Sequence, residues 1–422
     1  MLGGESLSSP LSTRYHILYR ARKKKKYCFS NHRYKKTRMF PLEKFQQIDT
    51  PFYYYDTELL RQTLSAIRDN ITPEMHVHYA VKACANPKVL SIIAQKGFGA
   101  DCVSGGEVQA AIDAGFPAEK IVYAGVGKSD REIILGLEHG IFAFNVESIP
   151  ELEIINQLAL QRGKVARVAL RINPNVGAHT HANITTGLAE NKFGIDMQDM
   201  EDVIRRTQEM QGIQFIGLHF HIGSQILEMD DFVALCHRIN EIQERLEAAG
   251  FPTVSDINVG GGLGVDYQQP NEHPIPDFKA YFQAYKQNLK LRQGQQLHFE
   301  LGRAIVCQCG TLLTRVLYIK SNPIKNFCIV DAGMTDLIRP ALYGSYHHIE
   351  NLSAQSPTDY VTYDVVGPIC ESSDVFIKNY GMPRTQRGDI IAIRSAGAYG
   401  EIMASGYNCR QLPKGYTTED LA

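Results

Sequence analysis

The sequence lacks a hydrophobic stretch long enough to cross a membrane. No apolar run among its 422 residues approaches the roughly 18 residues that a spanning helix needs. Nor does a short apolar core follow the N-terminal charges, as a secretory signal would require. These absences argue against a membrane protein or an exported one, and they predict a cytosolic protein without a membrane partner.

Paired cysteines are missing as well. The nine cysteines are scattered, without C-x-x-C pairs and without histidines at zinc-site spacing. This pattern indicates reduced thiols, and it argues against a disulfide framework or a structural metal. We expect no metal.

Excess charge of one sign is also absent from the chain as a whole. Its formal charge is -1, with 44% hydrophobic and 21% charged residues, as in a globular protein that does not bind nucleic acid. The length exceeds what one ordinary core accommodates. It predicts two domains, of which one could be a barrel of about 250 residues.

The first 38 residues differ in charge from the rest. They hold 11 Lys/Arg against a single acid, Glu5, while the remainder carries 44 acids against 33 bases. Such a charge run is typical of a disordered extension. Three interpretations compete: a basic arm for an anionic surface, an organellar transit peptide, and upstream sequence translated from a misplaced start. We favour the last, with Met39 as the first residue, because globular-looking sequence follows Met39 at once and the segment has no amphipathic period.

From Met75 onward, short β-branched or aromatic runs alternate with segments of helical period, which predicts repeated βα units. Four helix candidates are Pro87 to Lys96, Gly106 to Ala114, Asp130 to His139 and Asp231 to Ala248. The strand-like runs number eight, so we predict an α/β fold with a (β/α)8 TIM-like barrel over residues 71–310. They are His76 to Val81, Phe98 to Cys102, Lys120 to Ala124, Ile141 to Val146, Val165 to Ile172, Phe215 to His221, Ile257 to Val259 and Gln296 to Glu300.

Beyond residue 311 the alternation ends. Strand-like runs follow without long helices, which predicts a mostly β domain over residues 311–422. The stretch from Asp49 to Asp56, with three consecutive tyrosines, is strand-like too. Residues 39–70 are therefore expected to contribute to the β domain. The predicted β runs are Leu312 to Ile319, Phe327 to Asp331, Tyr360 to Val366 and Asp389 to Arg394.

Chemistry in such barrels gathers at the carboxyl ends of the strands. Taken singly, each residue at these strand ends has an ordinary structural explanation, as a surface lysine, a core histidine, a tight glycine turn or part of a structural ion pair. Together they would face one mouth. The residues at these ends are Lys82, Asp101, Arg171, Asn173, His221, Ser224, Gly260, Gly261, Gly262, Glu300 and Arg303.

An amine, a carboxylate, a flat partner and an anion cradle are what pyridoxal 5'-phosphate needs. Lys82 would bond the cofactor aldehyde, and we expect partial desolvation to lower its pKa. Glu300 would pair with the ring nitrogen, and His221 would stack on the ring. The phosphate would lie on the turn at 260–262, with Ser224 and Arg303, since glycines permit close backbone approach.

At this point the sequence resembles the alanine-racemase-like, barrel-containing pyridoxal-phosphate decarboxylases, in the branch that acts on diaminopimelate. The resemblance extends from Met39 to the end of the chain. As an ordered set its motifs are very specific. They are HYAVKAC at 78–84, FGADCVSGGE at 98–107, HFHIGSQI at 219–226, NVGGGLGVDY at 258–267, ELGRA at 300–304, DAGMTDLIRPALYG at 331–344, GPICESSD at 367–374 and GAYG at 397–400.

The resemblance implies decarboxylation of meso-2,6-diaminopimelate to L-lysine and CO2, the last step of lysine biosynthesis. It implies that Cys370 donates a proton and that Cys370 and Glu371 reach the active site of a second subunit in a homodimer. It also implies catalytic roles for Lys82 and His221. The further residues that it implies are, for the cofactor, Asp101, Gly302 and Tyr399, and, for the substrate, Arg303, Arg339, Tyr343, Glu371 and Tyr399.

Two other activities share this fold: an ornithine, arginine or lysine decarboxylase, and a carboxynorspermidine-type decarboxylase. A diamine-forming enzyme has no distal carboxylate to hold and would favour an acid where Arg339 stands. A non-catalytic cofactor carrier is a third alternative, but it would tend to be a barrel alone. One departure from the family is visible: the usual Glu-Pro-Gly-Arg has Leu301 in place of proline. We expect little functional consequence.

Overall fold

The computed structural model describes residues 40–176 and 192–422. The predicted extension at residues 1–38 and the proposed start at Met39 lie outside the described residues.

A closed parallel barrel forms the larger part of the fold. The first strand, β1 (Phe52–Tyr55), belongs to a separate sheet, and the next eight strands close on one another in chain order. The predicted eight-stranded barrel is thus confirmed, and each predicted run overlaps one strand, with ends that differ by at most two residues. The barrel strands are β2 (Met75–Ala80), β3 (Gly99–Cys102), β4 (Ile121–Tyr123), β5 (Ala143–Val146), β6 (Ala166–Arg171), β7 (Ile213–His219), β8 (Asp256–Asn258) and β9 (Gln296–Leu301).

Helices separate the barrel strands, and their ends follow local sequence signals. Side chains of Asp56, Ser104 and Asp277 accept a backbone N–H in the first turn of the helix that each precedes. Gly140 ends one helix in the left-handed conformation, which glycine adopts without strain. The helices are α1 (Leu42–Phe45), α2 (Thr57–Arg68), α3 (Pro87–Gln95), α4 (Gly105–Asp113), α5 (Asp130–His139), α6 (Ile149–Gln161), α7 (Met200–Glu209), α8 (Met229–Ala248), α9 (Phe278–Asn288), α10 (Arg303–Val306) and α11 (Arg339–Tyr343).

The remaining strands form a second sheet, as predicted. Its main path runs β12-β15-β10-β11-β13-β14, and β1 pairs with β10 on one side and with β16 on the other. The prediction that this domain takes a strand from the N-terminal region is confirmed. The strands are β10 (Gly310–Ser321), β11 (Asn326–Val330), β12 (Ile349–Asn351), β13 (Tyr360–Val366), β14 (Val375–Pro383), β15 (Ile390–Ile393) and β16 (Lys414–Thr417).

Burial on both faces accounts for the composition of β1 and of the barrel strands. Tyr53 and Tyr55 are fully buried, and each hydroxyl has a partner: the Asp336 carbonyl for Tyr53 and the Glu401 carboxylate for Tyr55.

None of the described helices is long and apolar enough to span a bilayer. Because all eight barrel strands are parallel, their carboxyl ends meet at one mouth.

Candidate active site

A buried carboxylate, Glu300, lies near the end of β9 inside the barrel. Its Oε1 accepts hydrogen bonds from the amides of Asn145 (2.9 Å) and Asn258 (2.8 Å), and its Oε2 lies 3.1 Å from His219 Nε2. Burial alone would raise the pKa of Glu300, but the facing His219 and the nearby Lys82 lower it overall. Glu300 is therefore an ionised acceptor inside the barrel.

Lys82 stands in the single turn that follows β2. Its Nζ lies 3.3 Å from Oδ2 of Asp101, which is fully buried at the end of β3, whereas the lysine side chain is 38% exposed. Burial lowers the pKa of Lys82, whereas the charges of Asp101 and Glu300 raise it. The charges outweigh the burial, so the net shift of the pKa is upward. The expected lowering of the lysine pKa is wrong, because the charges of two acidic side chains act on the amine.

Asp101 is also shifted by its surroundings. Burial and the charge of Glu300 raise its pKa, although Lys82 opposes them. Its Oδ1 has no hydrogen-bond partner among the described residues. A buried oxygen without a partner indicates an acceptor that a further group can use.

The glycine turn at 260–262 follows β8 and requires glycine for two reasons. Gly260 and Gly262 have φ of 68° and 112°, and a Cβ on Gly261 would come within 1.9 Å of the Glu300 carbonyl oxygen. The Gly261 N–H donates to Nδ1 of His221 at 3.3 Å. Burial, followed by the charges of Arg171 and Lys82, lowers the pKa of His221 well below its usual value. The imidazole is therefore neutral, and its ring lies against the turn.

Arg303 reaches from the start of α10 to the same part of the mouth. Its guanidinium donates to the Ser224 hydroxyl (3.0 Å) and to the Tyr267 hydroxyl (2.6 Å), and it lies 4.9 Å from the Tyr399 ring centre. Gly302, just before it, packs so closely against Ala80 that a Cβ would come within 3.1 Å of the alanine side chain. It would also come within 3.0 Å of the Ala83 side chain, so the segment that carries Arg303 packs against the turn that carries Lys82.

A second guanidinium, that of Arg339, extends the mouth. Three tyrosine rings surround it, with centres 5.6 Å (Tyr267), 5.7 Å (Tyr343) and 5.9 Å (Tyr399) from its Cζ. Its NH2 donates to the Ser345 hydroxyl at 3.1 Å. Arg303 and Arg339 are each 5% exposed, and neither has a carboxylate partner within 4.0 Å in the described part of the chain. The mouth therefore keeps two buried positive charges for anionic ligands.

These residues fit pyridoxal 5'-phosphate. The site offers an amine on Lys82, an ionised carboxylate on Glu300 and a glycine turn in which two residues adopt positive φ. Nε of Arg303 has no partner among the described residues, so a donor remains for a phosphate. The amine, the carboxylate, the flat partner (His221) and the anion cradle that this cofactor needs therefore all lie at one mouth.

The structure does not bring Cys370 and Glu371 to this mouth. Both are exposed in the loop between β13 and β14. The Cys370 N–H donates to the side chain of Asn408 (3.2 Å), and the Glu371 carboxylate accepts from Tyr407 (2.8 Å) and Ser373 (3.1 Å). These hydrogen bonds stay within exposed loops of the β domain.

Arg171 and Asn173, at the end of β6, lie beside the mouth in different roles. Arg171 donates to both oxygens of Glu147 at 3.0 and 3.1 Å, and this carboxylate also accepts from the Gly194 N–H. The Asn173 side chain accepts the N–H of Asn175 at 3.1 Å. Arg171 therefore influences the site through its charge, which lowers the pKa of His221.

Sequence reasoning missed four residues of the site: Asn145, His219, Asn258 and Tyr267. The first three bind Glu300, and the fourth contacts both arginines. The signal for three of them was present, since His219, Asn258 and Tyr267 stand at motif ends. Asn145 gave no signal, because a single asparagine in an apolar strand is ordinary.

Comparisons with known proteins agree with this geometry. Residues 58–307 match the family model described as pyridoxal-dependent decarboxylase, pyridoxal binding domain. The chain is 66% identical to a diaminopimelate decarboxylase of Bacteroides thetaiotaomicron over 91% of this chain and 99% of the relative. It is 38% identical to that of Aquifex aeolicus, over 86% of each chain.

Solved structures give the same result. The structure of diaminopimelate decarboxylase from Helicobacter pylori complexed with L-lysine matches with a TM-score of 0.84 and 40% identity, covering 90% of this chain and 94% of that one. A lysine/ornithine decarboxylase of Vibrio vulnificus, at 22% identity and a TM-score of 0.77, shares the fold.

Proposed function

This chain belongs to the diaminopimelate decarboxylase family of pyridoxal-dependent decarboxylases, and we propose that it converts meso-2,6-diaminopimelate to L-lysine and CO2. The reaction is the last step of lysine biosynthesis. One observation carries the proposal: Arg303 and Arg339 are buried without a carboxylate partner among the described residues, beside Lys82 and Glu300. A substrate with a second amino-acid head brings the missing carboxylate.

Pyridoxal 5'-phosphate, when bound, supplies a ring that accepts the electron pair left at Cα after CO2 departs. Lys82 would hold its aldehyde, and Glu300 would hold a proton on the ring nitrogen. His221 would face the ring, while Asp101 would stay beside the lysine. The glycine turn at 260–262, with Gly302, Ser224, Arg303 and Tyr399, would bind the rest of the cofactor.

Binding at the far end of the substrate selects diaminopimelate. Arg303 and Arg339 donate charge-assisted hydrogen bonds to its distal carboxylate, and Glu371 accepts from its distal ammonium. Tyr343 and Tyr399 line the space between. A diamine-forming decarboxylase would leave Arg339 buried without an anion, so this alternative is disfavoured.

A homodimer with two shared sites would complete the chemistry. Cys370 of one copy would donate a proton from Sγ to the substrate Cα in the mouth of the other copy, and Glu371 would cross with it. The exposure of both side chains supports this arrangement, since their hydrogen bonds to the described residues of their own chain go to Asn408, Tyr407 and Ser373 and not to the mouth.

The division of the chain also remains a proposal. We assign residues 1–38 to a basic extension, 39–70 to an N-terminal segment of the β domain, 71–310 to the barrel and 311–422 to the β domain. We place the enzyme in the cytosol, where thiols stay reduced. The scattered spacing of the cysteines, without C-x-x-C pairs, supports that location.

Release of CO2 from competing substrates tests the proposed function. Purified protein loaded with pyridoxal 5'-phosphate is incubated separately with meso-diaminopimelate, ornithine, arginine and lysine. We expect CO2 from meso-diaminopimelate at a rate at least tenfold above that from the other three, because only meso-diaminopimelate has a second carboxylate to bind the two arginines while the first is lost as CO2. Faster release from ornithine, arginine or lysine would refute the proposed substrate.

A further inference from the structure

Tyr267 contacts both arginines that the proposed function assigns to the distal carboxylate. We propose that Tyr267 is a positioning residue: its hydroxyl holds Arg303 and its ring holds Arg339, so that the two guanidiniums face one carboxylate. The inference rests on the proposed function and deepens it.

The hydroxyl of Tyr267 fixes Arg303 from one side. It accepts from NH1 of Arg303 at 2.6 Å, while NH2 donates to Ser224 at 3.0 Å. A guanidinium held at two of its nitrogens cannot turn about its own axis. Arg303 thus presents one fixed edge to the mouth.

A row of hydrogen bonds orients this hydroxyl. Sγ of Cys307 lies 3.3 Å from the Tyr267 hydroxyl and 3.1 Å from the carbonyl oxygen of Ser395. Because a carbonyl only accepts, the thiol proton is best directed to Ser395, which leaves the sulfur to accept from the tyrosine. The tyrosine oxygen then turns its lone pairs toward Arg303.

The ring of Tyr267 holds Arg339 from the other side. Its centre is 5.6 Å from the Arg339 guanidinium carbon, a distance at which a ring face attracts a cation. Behind it, the buried His347 packs edge-on with ring centres 5.2 Å apart. The tyrosine ring therefore keeps a fixed orientation.

Neutrality is what makes tyrosine suitable at this position. Burial raises the pKa of Tyr267, even though Arg303 and Arg339 oppose the rise, so the phenol stays protonated. Burial and the charge of Arg339 lower the pKa of His347 to about 3. Neither side chain cancels an arginine charge, whereas an aspartate or glutamate at position 267 would. Both positive charges remain available to the substrate.

Tyr267→Phe tests the hydroxyl, because it removes the acceptor of Arg303 and keeps the ring. The test measures dissociation constants of L-lysine, which carries the carboxylate, and of cadaverine, which has none. We expect L-lysine binding to weaken about tenfold and KM for meso-diaminopimelate to rise in parallel, with kcat and cadaverine binding within about twofold. A general loss of folding would weaken both ligands alike.

The control is Tyr416→Phe, at a half-buried tyrosine of β16 that packs against Phe52 and whose hydroxyl forms no hydrogen bond with the described residues. It should leave both dissociation constants unchanged. Tyr267→Leu, which also removes the ring, should weaken L-lysine further, because Arg339 then loses a neighbour.

The outcomes separate the two proposals. Wild-type protein that releases no CO2 from meso-diaminopimelate refutes the proposed function. Wild-type protein that is active, with a folded Tyr267→Phe variant that binds L-lysine as the wild type does, refutes the positioning role alone. Should Tyr267→Phe fail to fold, Cys307→Ala decides, since it removes the partner of the hydroxyl, together with the thiol contact to Ser395, and keeps Tyr267 and both arginines. L-lysine binding should then weaken about threefold, and an unchanged value would overturn the inference.

Discussion

Replacing Glu300 with glutamine separates its charge from its shape. Glutamine has nearly the same volume, and its carbonyl oxygen can still accept from Asn145 and Asn258. The other oxygen becomes an amide that faces His219 Nε2, where the carboxylate had a charge-assisted hydrogen bond at 3.1 Å. The variant should therefore fold, with a loss of about 2 kcal/mol, the range for a hydrogen bond to a charged group.

The effect on catalysis should be much larger than that on folding. An amide cannot balance a proton on the ring nitrogen, so we expect Glu300→Gln to lower kcat at least about 100-fold, as the loss of one electrostatic contact commonly does. The assay is CO2 release from meso-diaminopimelate, with cofactor content measured by absorbance. A cofactor-loaded variant within tenfold of the wild-type kcat would show that Glu300 does not act through its charge.

Acid should remove the stability difference between the two proteins. Since the folded-state pKa of Glu300 lies below its unfolded value, about 4.3, the ionised side chain stabilises the fold above that pH. The contribution is lost as the pH falls from there towards the folded-state pKa. The gap between wild type and Glu300→Gln in urea should therefore be full above about pH 5 and shrink in acid. Glu119→Gln, at an exposed position, is the matched control and should leave stability and turnover unchanged.

Three further outcomes are expected. Lys82→Ala should lose the cofactor that borohydride fixes covalently to the wild type, and a variant that still retains reducible, attached cofactor would show that another amine bonds it. Co-expressed Lys82→Ala and Cys370→Ala chains, each inactive alone, should form hybrids with one intact site of two, so that random pairing restores roughly a quarter of wild-type activity. An isolated, cofactor-loaded hybrid no more active than its parents would contradict the shared site. A chain that begins at Met39 should have a kcat within about twofold of that of the full chain, because the described barrel and sheet are built from Phe40 onward. A large loss of activity would show that residues 1–38 contribute to the function of the enzyme.

The barrel could be predicted because its strands carry a strong local signal. Buried on both faces, they read as short apolar runs, and helices of clear period separate them. Three strands of the second sheet were missed for the opposite reason. Ile349–Asn351 has three residues, and Lys414–Thr417 and Val375–Pro383 contain glycine or proline and polar side chains that do not alternate. Pairing with distant strands, rather than their own composition, makes these segments extended.

The candidate site, too, could be predicted from the sequence only in part. Lys82 and Glu300 were predictable from their places at strand ends, because the barrel fixes where those ends meet. The direction of the pKa shift of Lys82 was not, since it depends on the distance to Asp101 across a neighbouring strand. The contacts of Tyr267 with two arginines from other segments likewise exist only in the assembled mouth. Cys370 was suggested by resemblance alone, and its exposed position leaves its role to the hybrid experiment.

The position of β1 also constrains the order in which the chain folds during synthesis. Phe52 pairs with Leu313 on one side and with Lys414 on the other, so β1 lacks one neighbour until the segment from Lys414 to Thr417 has been synthesised. The barrel strands, by contrast, follow one another along the chain between Met75 and Leu301. The barrel can therefore close before β16 has been synthesised. A chain that stops short of Lys414 leaves one side of β1 as an open strand edge, which other chains can pair with. Pairing with β16 is thus what protects this side of the first strand from aggregation.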